Sequence, residues 1–179
     1  MVLMQQIFTD FAIQSFDRFV EFITAPIEMP EMLWILVPLI LNILIMELYF
    51  GRYVLEELGW NTAFSNVIVL IFVSVDLLRY LYNAGRLELG IELALICAII
   101  LVGIVLTILD FFHELPKHFA FVVSSKLPMN YLALVSIILI YSGINILEAE
   151  TIIALLLFLL LLYVIIKLIH AIVPKSLEV

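Results

Sequence analysis

The sequence predicts an all-α, polytopic integral membrane bundle: an N-terminal amphipathic interfacial helix followed by five transmembrane segments, or four if one of them is re-entrant. Three observations carry that prediction. Apolar residues make up 66% of the 179 positions and charged residues only 13%, whereas a soluble domain needs about a quarter of its residues charged to cover its surface. The mean hydropathy is +1.28. The apolar residues also fall into runs close to the roughly 20 residues that cross about 30 Å of hydrocarbon.

The segment 1–30 is read as the interfacial helix. Met4, Phe8, Phe11, Ala12, Phe16, Phe19, Val20 and Ile23 recur at helical spacing, and Gln6, Asp10, Gln14, Asp17 and Glu21 fill the opposite stripe. That stripe is too polar for a span and suits the headgroup layer. A secretory signal is not expected, because Gln5, Gln6 and Asp10 interrupt the apolar block such a signal needs. Ala25-Pro26 and Met29-Pro30 are expected to break the helix, since proline lacks an amide donor and restricts the residue before it.

The transmembrane domain is placed at 31–175. Its first span is expected from Met32 to Phe50, kinked at Pro38 and containing Asn42 and Glu47. Gly51 to Ser65, with Arg52, Glu56, Glu57 and Trp60, reads as a polar turn with an interfacial aromatic. The second span runs from Asn66 to Tyr82 with Asp76 and Arg79 near one end, and the third from Leu89 to Leu109 after the turn Asn83-Ala84-Gly85-Arg86. Asp110 to Lys126 is an interfacial connector. Met129 to His170 is about twice the length of one span, so it must fold back, and Ser142-Gly143-Ile144-Asn145 with Glu148 and Glu150 marks the break. This gives a short fourth span from Leu127 to Gly143, re-entrant in the four-pass alternative, and a fifth from Thr151 to Ile172. Residues 176–179, Ser-Leu-Glu-Val, resemble the opening of a protease-cleavage linker and are set aside as a non-native tail. With five passes the excess of Lys and Arg falls on the side of the C-terminus, which is therefore expected in the cytoplasm.

Charged groups at membrane depth cost about 2.5–3.5 kcal/mol each on insertion scales, so those that occur there carry the functional question. Glu47, Asp76 and Glu92 are the candidates. Asp76 and Arg79, three apart, share a helix face and read as a structural ion pair. Asn42 lies halfway along the first span, where an amide seeks a partner on another helix or lines a pore. Asn42, Glu47 and the acidic stripe Asp10, Asp17 and Glu21 are the candidate ion-pathway residues.

Other chemistries lack their residue patterns. His113-Glu114-Leu115-Pro116-Lys117-His118 places its histidines five apart with a proline between, not four apart on one helical face, so no metal site is predicted. Cys97 has no basic neighbour to activate it. No cofactor is predicted, and an intramembrane metal-dependent enzyme ranks third among the readings. Eight Lys and Arg against sixteen Asp and Glu give a net charge of −8, which leaves no basic stripe for nucleic acid.

The stretch from about Leu106 to Leu168 resembles the phosphate-starvation-inducible PsiE-type family of small membrane proteins. The resemblance lies in a span ending at Leu109-Asp110-Phe111-Phe112-His113-Glu114-Leu115, the following Lys126-Leu127-Pro128-Met129-Asn130-Tyr131, an acidic turn at Glu148 and Glu150, and a last leucine-rich span. Tyr141 stands near the place where that family commonly has an arginine. The resemblance implies a membrane scaffold or regulatory protein and little defined chemistry. From the residues themselves, five short spans leave little room for a solute path inside one copy. The first expectation is therefore a homo-oligomeric, cation-favouring channel for small ions, not an enzyme, with the lipid bilayer and further copies of the chain as partners.

Overall fold

In the computed structural model, residues 2–53 and 59–176 are described, and they are almost wholly helical. The helices are α1 (Val2–Glu28), α2 (Leu33–Arg52), α3 (Trp60–Asn83), α4 (Ile91–Phe111), α5 (Lys117–Val123), α6 (Lys126–Ser142) and α7 (Ala149–Ile172), with a 3-10 turn over Pro30–Met32 leading into α2. Five segments are long and apolar enough to cross a membrane: 30–52, 60–83, 91–111, 117–142 and 149–172.

Two expectations about helix ends are corrected. The first helix does not stop at Ala25-Pro26 but continues through Pro26 to Glu28. A proline this close to a C-terminus forfeits little of the ladder, and the break falls instead at Met29-Pro30, where Pro30 opens the 3-10 turn. The second span begins at Trp60 rather than Asn66. Its polar first turn is helical because Thr62 and Ala63 donate their amides to the Gly59 carbonyl and Ser65 Oγ donates to Asn61 O at 2.7 Å. Glu56 and Glu57 lie outside the described residues.

The fourth apolar segment runs the height of the bundle. Lys126, at the start of α6, is beside Glu47 near the end of α2, while Tyr141 at the other end shares a pocket with Glu31 of the 3-10 turn and Trp34 at the start of α2. Seventeen residues at 1.5 Å each supply about 26 Å for this traverse. The αL residue Gly143, at φ +66°, then terminates α6 and turns the chain.

α6 is the central helix. Its residues Ala133 through Tyr141 are all buried, and it packs against α3, α2 and α1. α4 lies outermost on α3, and α7 packs on α1 and α2. The face of α1 that docks is Ser15, Phe22 and Ala25, with Phe22 edge-on to Phe158 of α7. Phe16, Val20 and Ile23 of the expected apolar stripe remain outward. The core is thus contributed chiefly by one stripe each of α2 and α3 around a helix buried on every side.

Candidate functional site: charged clusters at the two ends of the bundle

Ion-paired side chains gather at the two ends of the bundle. At the first, Glu47 of α2 is 2% exposed and is shared by two basic groups. Its Oε1 lies 3.1 Å from Lys126 Nζ and its Oε2 2.8 Å from His170 Nε2. The lysine contact is an ion pair without hydrogen-bond alignment, and the same ammonium sits over the Phe50 ring at 4.2 Å. Gly51 makes the arrangement sterically feasible: a Cβ there would lie 3.0 Å from His170 Cδ2. The Ser176 amide donates to Arg52 O at 2.8 Å, which ties the chain beyond α7 to the end of α2.

At the opposite end Asp76 of α3 bridges two helices. Arg79 donates to its Oδ1 at 2.5 Å, as the i,i+3 spacing predicts, and Tyr141 of α6 donates its hydroxyl to Oδ2 at 3.0 Å. Tyr141 stacks on Tyr80 with centroids 3.8 Å apart, and Tyr80 donates to Tyr141 O at 3.3 Å. Arg86 pairs with Glu92. Arg18 of α1 bonds Glu21 at 2.9 Å and Glu148, just before α7, at 2.5 Å.

The sequence-derived candidates therefore separate. Glu47 points into its own bundle and is paired there. Glu21 is engaged by Arg18, whereas Asp10 and Asp17 are exposed. Asn42 lies on the outward face of α2, about midway along the helix, and its side chain makes no hydrogen bond among the described residues. The residues that sequence reasoning did not connect are Lys126, His170 and Tyr141. Their one legible signal is a basic or hydroxylic side chain close to the end of an otherwise apolar run.

A second buried polar group stands apart. Asp110, the last residue but one of α4, is 1% exposed, and neither carboxylate oxygen has a hydrogen-bond partner. Asn66 of α3 donates to Ser124 O at 3.0 Å, which satisfies a carbonyl at the end of α5. His113 has the left-handed φ of 58° and stacks on Trp60 at 4.2 Å. Among the described residues no group of three His, Cys, Asp or Glu side chains is placed to hold a metal ion.

Among the described residues, the fold and its charges define an all-helical protein with five helices apolar enough to cross a membrane and ion-paired clusters at both bundle ends. No protein-family model, no curated protein and no solved structure matches this chain.

Proposed function

We propose that the protein works in the membrane as a homo-oligomer, its copies meeting along the outward face of α2 and enclosing a pathway for small cations. The observation that carries this reading is Asn42. A primary amide facing hydrocarbon midway along a span has both a donor and an acceptor unmet, and a symmetry-related Asn42 supplies what each lacks. The exposed acids Asp10 and Asp17 of α1 would draw cations toward such an assembly. Within one copy the space between α2, α3 and α6 is filled with apolar side chains, so the pathway lies between copies.

The test is native mass spectrometry in nanodiscs, with cation flux into vesicles, on wild type and Asn42→Leu. An interhelical amide bond in a membrane is worth about 0.6 and at most about 1.7 kcal/mol, so Asn42→Leu should weaken self-association by about 3- to 18-fold. Flux should fall with it. A wild-type monomer would overturn the reading.

A second reading, a non-transporting membrane scaffold or regulatory protein of PsiE-like type, is favoured by the in-chain pairing of Glu47 and Asp76, which leaves neither free to line a path. An intact oligomer without cation flux would select it.

A further inference from the structure

At the Asp76 end of the bundle a pocket opens between the start of α2 and the end of α3, and its lining includes Glu31, Trp34, Arg79, Tyr80, Asn83 and Tyr141. We infer that this pocket binds the headgroup of a zwitterionic phospholipid, with the phosphate on Arg79 and the ammonium on Glu31 and Trp34.

Charge selects the headgroup. Arg79 gives one nitrogen to Asp76 and is 63% exposed, so the rest of its guanidinium fork is open to an anion, and phosphate oxygens match that fork. Glu31, in the 3-10 turn, is exposed and makes no ion pair among the described residues. Beside it the Trp34 ring, 84% exposed, offers its face to a cation. A short ethylene link joins phosphate to ammonium in an ethanolamine or choline headgroup, so the groups that receive them must line one small pocket, as Arg79 and Glu31 do. A purely anionic headgroup is disfavoured, because Glu31 and Asp76 set two negative charges against the one of Arg79. A simple cation would meet Arg79 as a like charge.

Depth selects a lipid over a free solute. From Trp34 an apolar groove runs on along α2, lined by Pro30, Leu33, Trp34, Val37 and Pro38. The two pockets share Trp34 and form one surface, polar at the helix end and apolar along the helix, which is the polarity of a headgroup and its acyl chain. An exposed tryptophan at the end of an apolar helix sits at the level of the headgroups. A second copy of the chain would have to bring an acid to Arg79 and a base to Glu31 at once, whereas a zwitterionic lipid carries both on one headgroup. The inference rests on the reading that these helices cross a membrane, and on neither the pore nor the contact through Asn42, which lies one turn beyond Pro38.

The experiment is native mass spectrometry of the full chain in detergent, titrated with phosphatidylethanolamine, phosphatidylcholine or phosphatidylglycerol. One molecule of either zwitterionic lipid per copy is expected to bind more tightly than phosphatidylglycerol. Arg79→Ala and Glu31→Gln should each weaken that binding by about tenfold or more, while Arg52→Ala, at the other end of α2, leaves it unchanged. Glu31→Lys should reverse the order in favour of phosphatidylglycerol, an outcome that a disturbed fold does not produce. Equal binding of the three lipids, or wild-type preference in Glu31→Lys, overturns the inference. Glycerophosphoethanolamine, the headgroup without its chains, should compete only weakly; competition as strong as that of the intact lipid overturns the lipid assignment in favour of a soluble zwitterion. Dimers that exclude the lipid and come apart in Glu31→Gln overturn it in favour of a second copy. Carbonate extraction of membranes checks the underlying reading separately: a chain that washes off refutes the spans, and one that stays but binds no lipid refutes only the site.

Discussion

Glu47 and His170, 123 residues apart in sequence, meet at 2.8 Å, and the same carboxylate holds Lys126 at 3.1 Å. One buried acid thus pins the ends of three helices, α2, α6 and α7. Removing one member of a buried pair leaves an uncompensated charge and costs about 3–5 kcal/mol, far more than the pair gains over an apolar replacement.

Glu47→Gln is accordingly expected to destabilise the bundle by about 3–5 kcal/mol, because Lys126 keeps its buried ammonium. Lys126→Met in the same background should recover part of that loss. Unfolding of the purified protein in mixed detergent, followed by circular dichroism, measures both. Equal stability of Glu47→Gln and wild type would mean that the carboxylate is not the tie between these helices.

Asp76 offers a contrast between two bonds to one acid. Tyr141→Phe keeps the stack on Tyr80 but removes the hydroxyl that reaches Asp76 from another helix, a bond to a charged group worth about 1.5–3 kcal/mol. Arg79 is 63% exposed and pairs with Asp76 within the same helix, so Arg79→Ala should cost only about 0–1 kcal/mol. The order of the two losses in thermal melts is the check.

α4 packs on α3 where Gly103 meets Ile71. A Cβ at Gly103 would stand 3.0 Å from Ile71 Cγ1, and Gly103→Val should therefore push the helices apart at a cost of about 1–3 kcal/mol. Gly59, with nothing within 4 Å of the added atom, should accept alanine with little change. Ile71→Ala, which removes the crowded Cγ1, combined with Gly103→Val should restore part of the stability, which separates crowding from a general intolerance of substitution in α4.

Asp110 is expected to behave in the opposite sense to Glu47. Its carboxylate is buried with no hydrogen-bond partner, and leaving such a group unsatisfied costs about 1–3 kcal/mol or more. Asp110→Asn, which keeps the shape and volume and removes the buried charge, should raise the melting temperature. A drop would show that this acid has a partner of its own in the working protein.

The number of apolar helices and most of their limits were legible in the sequence because they depend on local quantities. Run length against hydrocarbon thickness marked five segments, Met29-Pro30 marked the end of α1, and Ser142-Gly143 marked the end of α6. The Asp76–Arg79 pair was legible for the same reason, since i,i+3 spacing alone brings the two together. Pro26 does not act as a stop because only two helical residues, Ile27 and Glu28, follow it.

Tertiary structure decided which face of each helix turns inward. In a chain this apolar, a leucine facing lipid and a leucine facing protein have the same sequence signature, so periodicity could not mark α6 as the centre or set α1 on α7. It also decided the roles of the polar residues. Asn42 and Glu47 lie five apart on one helix, yet one faces outward with no partner among the described residues and the other is locked to Lys126 and His170. Burial of a charge depends on groups brought from distant parts of the chain, and those meet only when the helices pack.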